Sequence, residues 1–136
     1  MTATLPAPLD GRHNLDAFEC GIVALDDWLK RRARNNAERG ASRTYVTCIG
    51  LQVIGYYALA AGAVEMSAAS GRFRRNMPDP IPVVVLGRLA IDRSHQGEGL
   101  GRALFRDAAL RTMQAADIIG VRGMLVDATS EQAKAF

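Results

Sequence analysis

The chain is 136 residues long, 49% apolar and 23% charged, with a formal net charge of +3. That length holds one domain, residues 1–136, with no room for a second independent core, and the composition is that of an ordinary globular protein rather than a disordered one. Apolar runs such as Val83 to Leu86 are far too short to cross a bilayer, and Met1 to Asp10 lacks the basic start and apolar core of a secretory leader.

The first helix is expected over Leu25 to Glu38. Leu25, Trp28, Leu29, Arg32, Ala33 and Ala37 recur at helical spacing, Asp26 and Asp27 suit the first turn, and Gly40 supplies a stop. Arg43 to Ile49, rich in β-branched and aromatic residues, predicts a strand; Gly50 turns the chain, and Gln52 to Ala60 returns as the second arm of a hairpin. Ala61 to Pro82 is broken by glycines and prolines, with room for one helical turn near Val64 to Ala69. Val83 to Asp92 reads as a strand buried on both faces, and Arg102 to Asp117 as a second amphipathic helix. Met124 to Ala128 is a further strand, and Thr129 with Gln132 forms a capping box for a helix that has run two turns at Phe136. A strand-helix-strand crossover beside a hairpin implies a mixed sheet of α/β or α+β type.

The cysteines, Cys20 and Cys48, make no CxxC pair and have only His13 and His95 for company, so no metal site is expected and both read as reduced, idle thiols. Basic residues are unevenly placed. Lys30, Arg31, Arg32, Arg34, Arg39 and Arg43 fall within fourteen positions, and Arg72, Arg74 and Arg75 form a second group. Such clusters suit either a surface for an anionic partner or a solvated helix face with a basic loop.

The most informative stretch is Leu89 to Leu104. A strand ends, Gly97, Gly99 and Gly101 alternate, and a helix begins. Glycine lets backbone N–H groups approach a ligand, and at a helix start those groups lack internal partners and sit at the positive end of the dipole. A pyrophosphate suits such a turn. A P-loop would need a lysine that is missing here, and a dinucleotide fingerprint would need a different third glycine and an acidic residue at the end of a later strand. What remains is Gln96, two residues, Gly99, one residue, Gly101; the competing reading is a plain strand-to-helix turn.

Gln96 to Gly101 after Leu89-Ala90-Ile91-Asp92 resembles motif A of the Gcn5-related N-acetyltransferases (GNATs). Leu25-Asp26-Asp27-Trp28-Leu29, Arg43-Thr44-Tyr45-Val46, Gly55-Tyr56-Tyr57-Ala58-Leu59 and Arg75-Asn76-Met77-Pro78-Asp79-Pro80-Ile81-Pro82 resemble one branch of that family, the TacT-like acetyltransferase toxins of toxin–antitoxin pairs. The likeness runs from about Phe18 to Phe136, and the Arg75 to Pro82 run is more discriminating than the loop.

The resemblance implies a GNAT fold and an acetyl-CoA-dependent enzyme that acetylates the α-amine of aminoacyl-tRNA and so blocks translation in the cytoplasm. Leu89, Ala90 and Ile91 would present backbone to the acetyl and pantetheine arm. Gln96, Gly97, Glu98, Gly99, Leu100, Gly101 and Arg102 would wrap the pyrophosphate. Lys30, Arg31, Arg34, Arg39, Arg43, Arg72, Arg74 and Arg75 become the RNA contacts, positioning phosphates without reading sequence. Direct attack of an amine on a thioester needs no nucleophilic side chain, in keeping with the lack of a Cys–His or Ser–His–Asp set. Partners implied by the branch are aminoacyl-tRNA, a ribbon-helix-helix antitoxin and a second copy in a homodimer. The branch also carries a catalytic tyrosine that would follow Phe136, together with closing strands, so the expectation is a shortened domain with impaired catalysis; Tyr45, Tyr56 and Tyr57 match other positions. The alternatives are acetylation of a small amine or a protein N-terminus, and a non-catalytic module that binds an antitoxin.

Overall fold

The computed structural model describes residues 2–65 and 80–127. A two-residue strand, β1 (Ala7–Pro8), leads to helices α1 (Val23–Arg31) and α2 (Ala33–Glu38), then strands β2 (Arg43–Ile49), β3 (Gln52–Val64) and β4 (Ile81–Ile91). A short 3₁₀ turn, Arg93–His95, precedes helix α3 (Leu100–Ala116), and β5 (Met124–Val126) closes the described chain. The strands form one sheet in the order β1-β2-β3-β4-β5, antiparallel throughout except for the parallel β4–β5 pair that α3 joins. The mixed sheet and the crossover are those the residue pattern predicts.

Strand alternation divides the core between the two faces of the sheet. Tyr56 goes to the α1 face, where Phe18, Trp28, Leu29, Ala33, Val46 and Val53 bury with it. Tyr57 goes to the opposite face, with Leu86, Leu89, Ile91, Leu104 and Ala108 under α3. Full burial of a side chain such as Leu29 or Leu104 stabilises by roughly 1.5–3 kcal/mol, so both helices are held to the sheet by packing. Among the described residues no helix is long and apolar enough to cross a membrane.

Three boundaries differ from expectation. The helix expected over Leu25 to Glu38 is interrupted at Arg32, whose φ of −122° leaves the helical range and separates α1 from α2. Arg32 is the charged residue in the apolar stripe, and the break leaves it exposed while Leu29 and Ala33 stay fully buried. Strand β3 runs on through Ala61–Gly62–Ala63 to Val64, where glycine and alanine suggest a loop, and β4 begins at Ile81. A Cβ at Gly62 would stand 2.5 Å from Val85 Cγ2, so this glycine marks a close cross-strand approach rather than a turn. The helical turn expected near Val64 to Ala69 falls almost wholly outside the described residues, as do Arg72, Arg74, Arg75 and the helix expected from Thr129.

A glycine amide loop beside an apolar and charged cleft

Between β4 and α3 the chain makes a turn built by two left-handed glycines, Gly97 at φ 81° and Gly99 at φ 85°, the second acting as the N-cap of α3. No side chain of the described residues caps the helix. Its first internal bond runs from the Ala103 N–H to the Gly99 carbonyl. The backbone N–H groups of Gly97, Glu98, Gly99, Leu100, Gly101 and Arg102 have no protein acceptor among the described residues. A Cβ at Gly97 or Gly99 would meet nothing within 4 Å among the described residues, which leave open space over the turn. Free donors, absent side chains and the positive end of a helix of 17 residues together favour an anion.

The turn is fixed by a latch to the segment entering α1. The Gln96 side-chain amide donates to the Cys20 carbonyl at 2.8 Å and to the Ile91 carbonyl at 2.9 Å. Asp92 accepts from the Glu19 N–H at 2.8 Å, the Arg93 N–H donates back to the Glu19 carbonyl, and Arg93 Nη1 pairs with Glu19 at 3.3 Å. Burial pushes the Asp92 carboxyl upward, but the Ser94 hydroxyl and the Glu19 and Ser94 amides outweigh it and hold it below the usual value. The Glu98 carboxylate is turned to His95 at 3.1 Å. Gln96 therefore spends its side chain on positioning the loop, which leaves the backbone of the following residues as the ligand-facing surface.

Strand β4 connects this loop to a cleft. The Asp92 N–H bonds the Ile54 carbonyl, which sets the phase of the β3–β4 ladder: Ala90 pairs with Tyr56, and the backbone groups of Leu89 and Ile91 turn away from β3. On that other side, the last described bond to β5 is from the Asp127 N–H to the Leu86 carbonyl at 3.0 Å. There a cleft of about 700 Å³ opens, lined by Asp27, Trp28 and Arg31 of α1, Arg32 between the helices and Asn36 of α2, by Gly87 and Arg88 of β4, and by Asp127 just after β5. Arg88 lies over the Trp28 ring, 4.4 Å from its centroid, a cation–π contact that also props the indole. From Arg88 to Asp92 the strand spans on the order of 13 Å, so the cleft and the amide loop are two ends of one extended path.

The structure thus gathers Leu89, Ala90, Ile91 and Gln96 to Arg102 along a single path. Of the basic residues, Lys30, Arg31 and Arg39 are exposed and make no ion pair among the described residues. Arg34 instead donates to the Asp10 and His13 carbonyls at 3.2 and 2.7 Å, and Arg43 to the Ala37 carbonyl at 2.8 Å, so both are tied to the fold while their surfaces stay exposed. Sequence reasoning missed Arg88 and Asp127 and treated Trp28 as core alone. Arg88 did carry a signal, a charge in a strand read as buried on both faces; Asp127 carried none. The tyrosines are occupied: Tyr56 donates to the Leu25 carbonyl at 2.8 Å, Tyr57 to Asp107, and Tyr45 lies under Arg111 at 4.1 Å. Burial raises the Tyr56 and Tyr57 hydroxyls above their usual range, and burial likewise pushes the Cys20 thiol up to about 12, where it is protonated and unreactive.

No family profile matches the chain. Individual proteins do. It is 50% identical over 131 residues to a tRNA-acetylating toxin of Mycobacterium tuberculosis, covering 96% of this chain and 79% of that one. The solved structure of AtaT complexed with acetyl-methionyl-tRNAfMet superposes with a TM-score of 0.89 at 34% identity, over 99% of this chain and 83% of AtaT. A phenylalanine-for-tyrosine mutant of AtaT, bound to the C-terminus of the antitoxin AtaR and to acetyl-CoA, gives 0.83 at 33% identity, over 100% of this chain and 81% of AtaT. Shared sequence over almost all of its length, on the same mixed sheet, makes this chain a member of the tRNA-acetylating toxins, TacT-like proteins of the GNAT fold.

Proposed function

We propose that this chain transfers the acetyl group of acetyl-CoA to the α-amine of an aminoacyl-tRNA, with Gly97 to Arg102 holding the pyrophosphate through their backbone N–H groups. The observation that carries the reading is that row of amides without a protein acceptor among the described residues, joined by β4 to a cleft of about 700 Å³. Gln96 belongs to the site as the pin that aims the loop. The pantetheine arm lies along Leu89, Ala90 and Ile91, and the Leu89 N–H, turned away from β3, is the donor that polarises the thioester carbonyl. The amine enters from the cleft, and catalysis is orientation together with proton management. The acceptor class is supported by the tRNA bound to AtaT and by the unpaired cations beside the cleft. Arg31 and Arg32 line the cleft itself, and the exposed Lys30, Arg34, Arg39 and Arg43 are assigned to the RNA surface with them. Arg72, Arg74 and Arg75 complete the assignment from the sequence pattern alone.

The protein partner assigned is an antitoxin, supported by the likeness to AtaT held by AtaR. A ribbon-helix-helix architecture for it, a homodimer for the enzyme and a cytoplasmic setting, where charged tRNA is found, are further parts of the proposal.

The direct test is transfer of labelled acetyl from acetyl-CoA to charged tRNA. Label is expected on aminoacyl-tRNA and absent from uncharged tRNA; label only on free amines or on protein N-termini would replace this acceptor class with another. Reversing Lys30 and Arg31 together to Glu should weaken tRNA binding on the order of 10–100-fold and flatten its salt dependence by about one to two counterions, with acetyl-CoA affinity unchanged. Equal salt slopes for the variant and the parent would remove these two residues from the RNA surface.

Gln96→Leu roughly keeps the side-chain size but deletes both latch bonds, to the Cys20 and Ile91 carbonyls. Acetyl-CoA affinity is expected to fall about tenfold by calorimetry, from the cost of ordering the loop on binding. Unaltered affinity would show that the loop holds its shape without the latch.

A further inference from the structure

We propose that Asp127 receives the acceptor amine: its carboxylate holds the α-ammonium in the cleft and takes the proton that nitrogen must lose before attack. The inference rests on the aminoacyl-acceptor reading above and adds to it the group that manages the proton.

The charges lining the cleft are sorted. Arg31 and Arg32 come from the helices, and Arg88 from β4 is engaged with the Trp28 ring at 4.4 Å. Two carboxylates line the same space, Asp27 on α1 and Asp127 at the end of β5. No histidine or lysine does so among the described residues. Asp127 differs from Asp27 in how it is held. Its own N–H is bonded to the Leu86 carbonyl at 3.0 Å, the last described link between β5 and β4, so its backbone is fixed where β4 leaves its partner. Leu86 lies three residues before Leu89, whose backbone faces that side of β4. The Asp127 carboxylate takes no hydrogen bond or ion pair among the described residues. An anion with no partner among the described residues, at the end of β5 in a cleft that also holds three arginines, an indole and Asp27, is the complement of an ammonium group. The helix cations are left for the phosphate and ribose end of the acceptor.

Proton balance follows. An α-ammonium gives up two protons in becoming an amide. One passes to an Asp127 oxygen and from there to solvent. The freed lone pair forms the N–C bond at the thioester carbonyl carbon, and the C–S bond breaks with its electron pair on sulfur. The second proton, lost as the amide forms, reaches the sulfur through solvent. The products are the amide, the free thiol and one released proton. Near neutral pH an α-amine of pKa about 7.7–8.0 is mostly protonated, so the ammonium is the form that arrives; the carboxylate holds it in place and is the acceptor through which its proton leaves as the amine is freed for attack.

The test is binding of a hydrolysis-stable 3′-aminoacyl-adenosine, in which an amide replaces the ester, against its analogue lacking the α-amine, by calorimetry at pH 6.5. The parent chain should prefer the amine-bearing compound on the order of tenfold, Asp127→Asn should bind both alike, and Asp127→Glu should regain part of the preference. In acetyl transfer, Asp127→Asn is expected to lose about 10²-fold at pH 6.5 and to recover as pH rises past 8, with KM for acetyl-CoA unmoved. A preference that survives Asp127→Asn, or that Asp27→Asn abolishes instead, overturns the inference while leaving the acceptor reading in place. A parent chain that binds neither compound overturns the acceptor reading and this inference with it.

Discussion

Replacing Gly99 with valine should abolish acetyl-CoA binding and leave the fold standing. Gly99 holds φ at 85°, a left-handed conformation that costs an L-residue roughly 1–2 kcal/mol and a β-branched one more. A Cβ built there meets no atom of the described residues within 4 Å, so the substitution strikes neither the described core nor its backbone. Its strain is confined to the turn, and the turn's remedy is to swing out of the left-handed region and carry the Leu100 and Gly101 amides away from a common point. A hydrogen bond to a charged group contributes about 1.5–3 kcal/mol, so losing two of them on top of the strain amounts to at least a 100-fold loss of affinity. Calorimetry with acetyl-CoA and a thermal melt read the two effects separately. Gly40 supplies the control: it has φ 73°, also has nothing within 4 Å of its Cβ, and follows α2 far from the loop in sequence. Gly40→Val should cost similar stability without affecting the cofactor. Equal cofactor affinity for Gly99→Val and the parent chain would remove the amide row from the site.

How far the sequence reaches depends on whether a feature is written locally. The Arg43 to Ile49 strand and the Gly97 to Gly101 turn are legible, because β-branched density and glycine spacing are local signals and the structure places both elements there. The extension of β3 through Gly62 is not, since the reason for small residues is Val85 packing across from the next strand. Pro82 reads as a breaker but sits inside β4; its carbonyl accepts from Arg122 on the β5 side, so its missing N–H falls on that side and leaves the β3 ladder whole. Strand β1 is two residues held by pairing to Val46 and Tyr45, with no pattern of its own. The same distinction separates the site residues. The amide loop is contiguous and can be read from its spacing, whereas the cleft joins Trp28, Arg88 and Asp127 from elements far apart in sequence. Gln96 is recognisable by its place in the motif, but its two carbonyl partners, Cys20 and Ile91, emerge only in three dimensions.

Gly55→Val is expected to lower stability more than Gly99→Val, Gly40→Val or Gln96→Leu, and to weaken the cofactor site from a distance. Gly55 lies on β3 opposite Ile91, on the face that α3 covers. A Cβ there would stand 3.0 Å from Ile91 Cδ1, 3.0 Å from Thr47 Cγ2 and 3.1 Å from Leu104 Cδ1. Those distances are tighter than ordinary contact on three sides, and Leu104, 1% exposed, has little room to withdraw. Alanine asks each neighbour to give a few tenths of an ångström. Valine adds two methyl groups and must push α3 off the sheet, an overpacking cost of about 1–3 kcal/mol or more and a fall in Tm on the order of 10 °C. Leu104 sits one turn into α3, so displacing it also tilts the helix start that carries the Leu100 to Arg102 amides. Acetyl-CoA affinity should therefore drop together with Tm. Pairing Gly55→Val with Leu104→Ala discriminates this account from generic damage. Leu104→Ala alone costs roughly 2–5 kcal/mol through the cavity it leaves, but in the double variant the valine fills that cavity. The two losses should then sum to clearly less than their separate values, by about 1 kcal/mol or more, with partial return of cofactor binding. Strict additivity of the two substitutions would mean that Gly55 is not where the helix rests on the sheet.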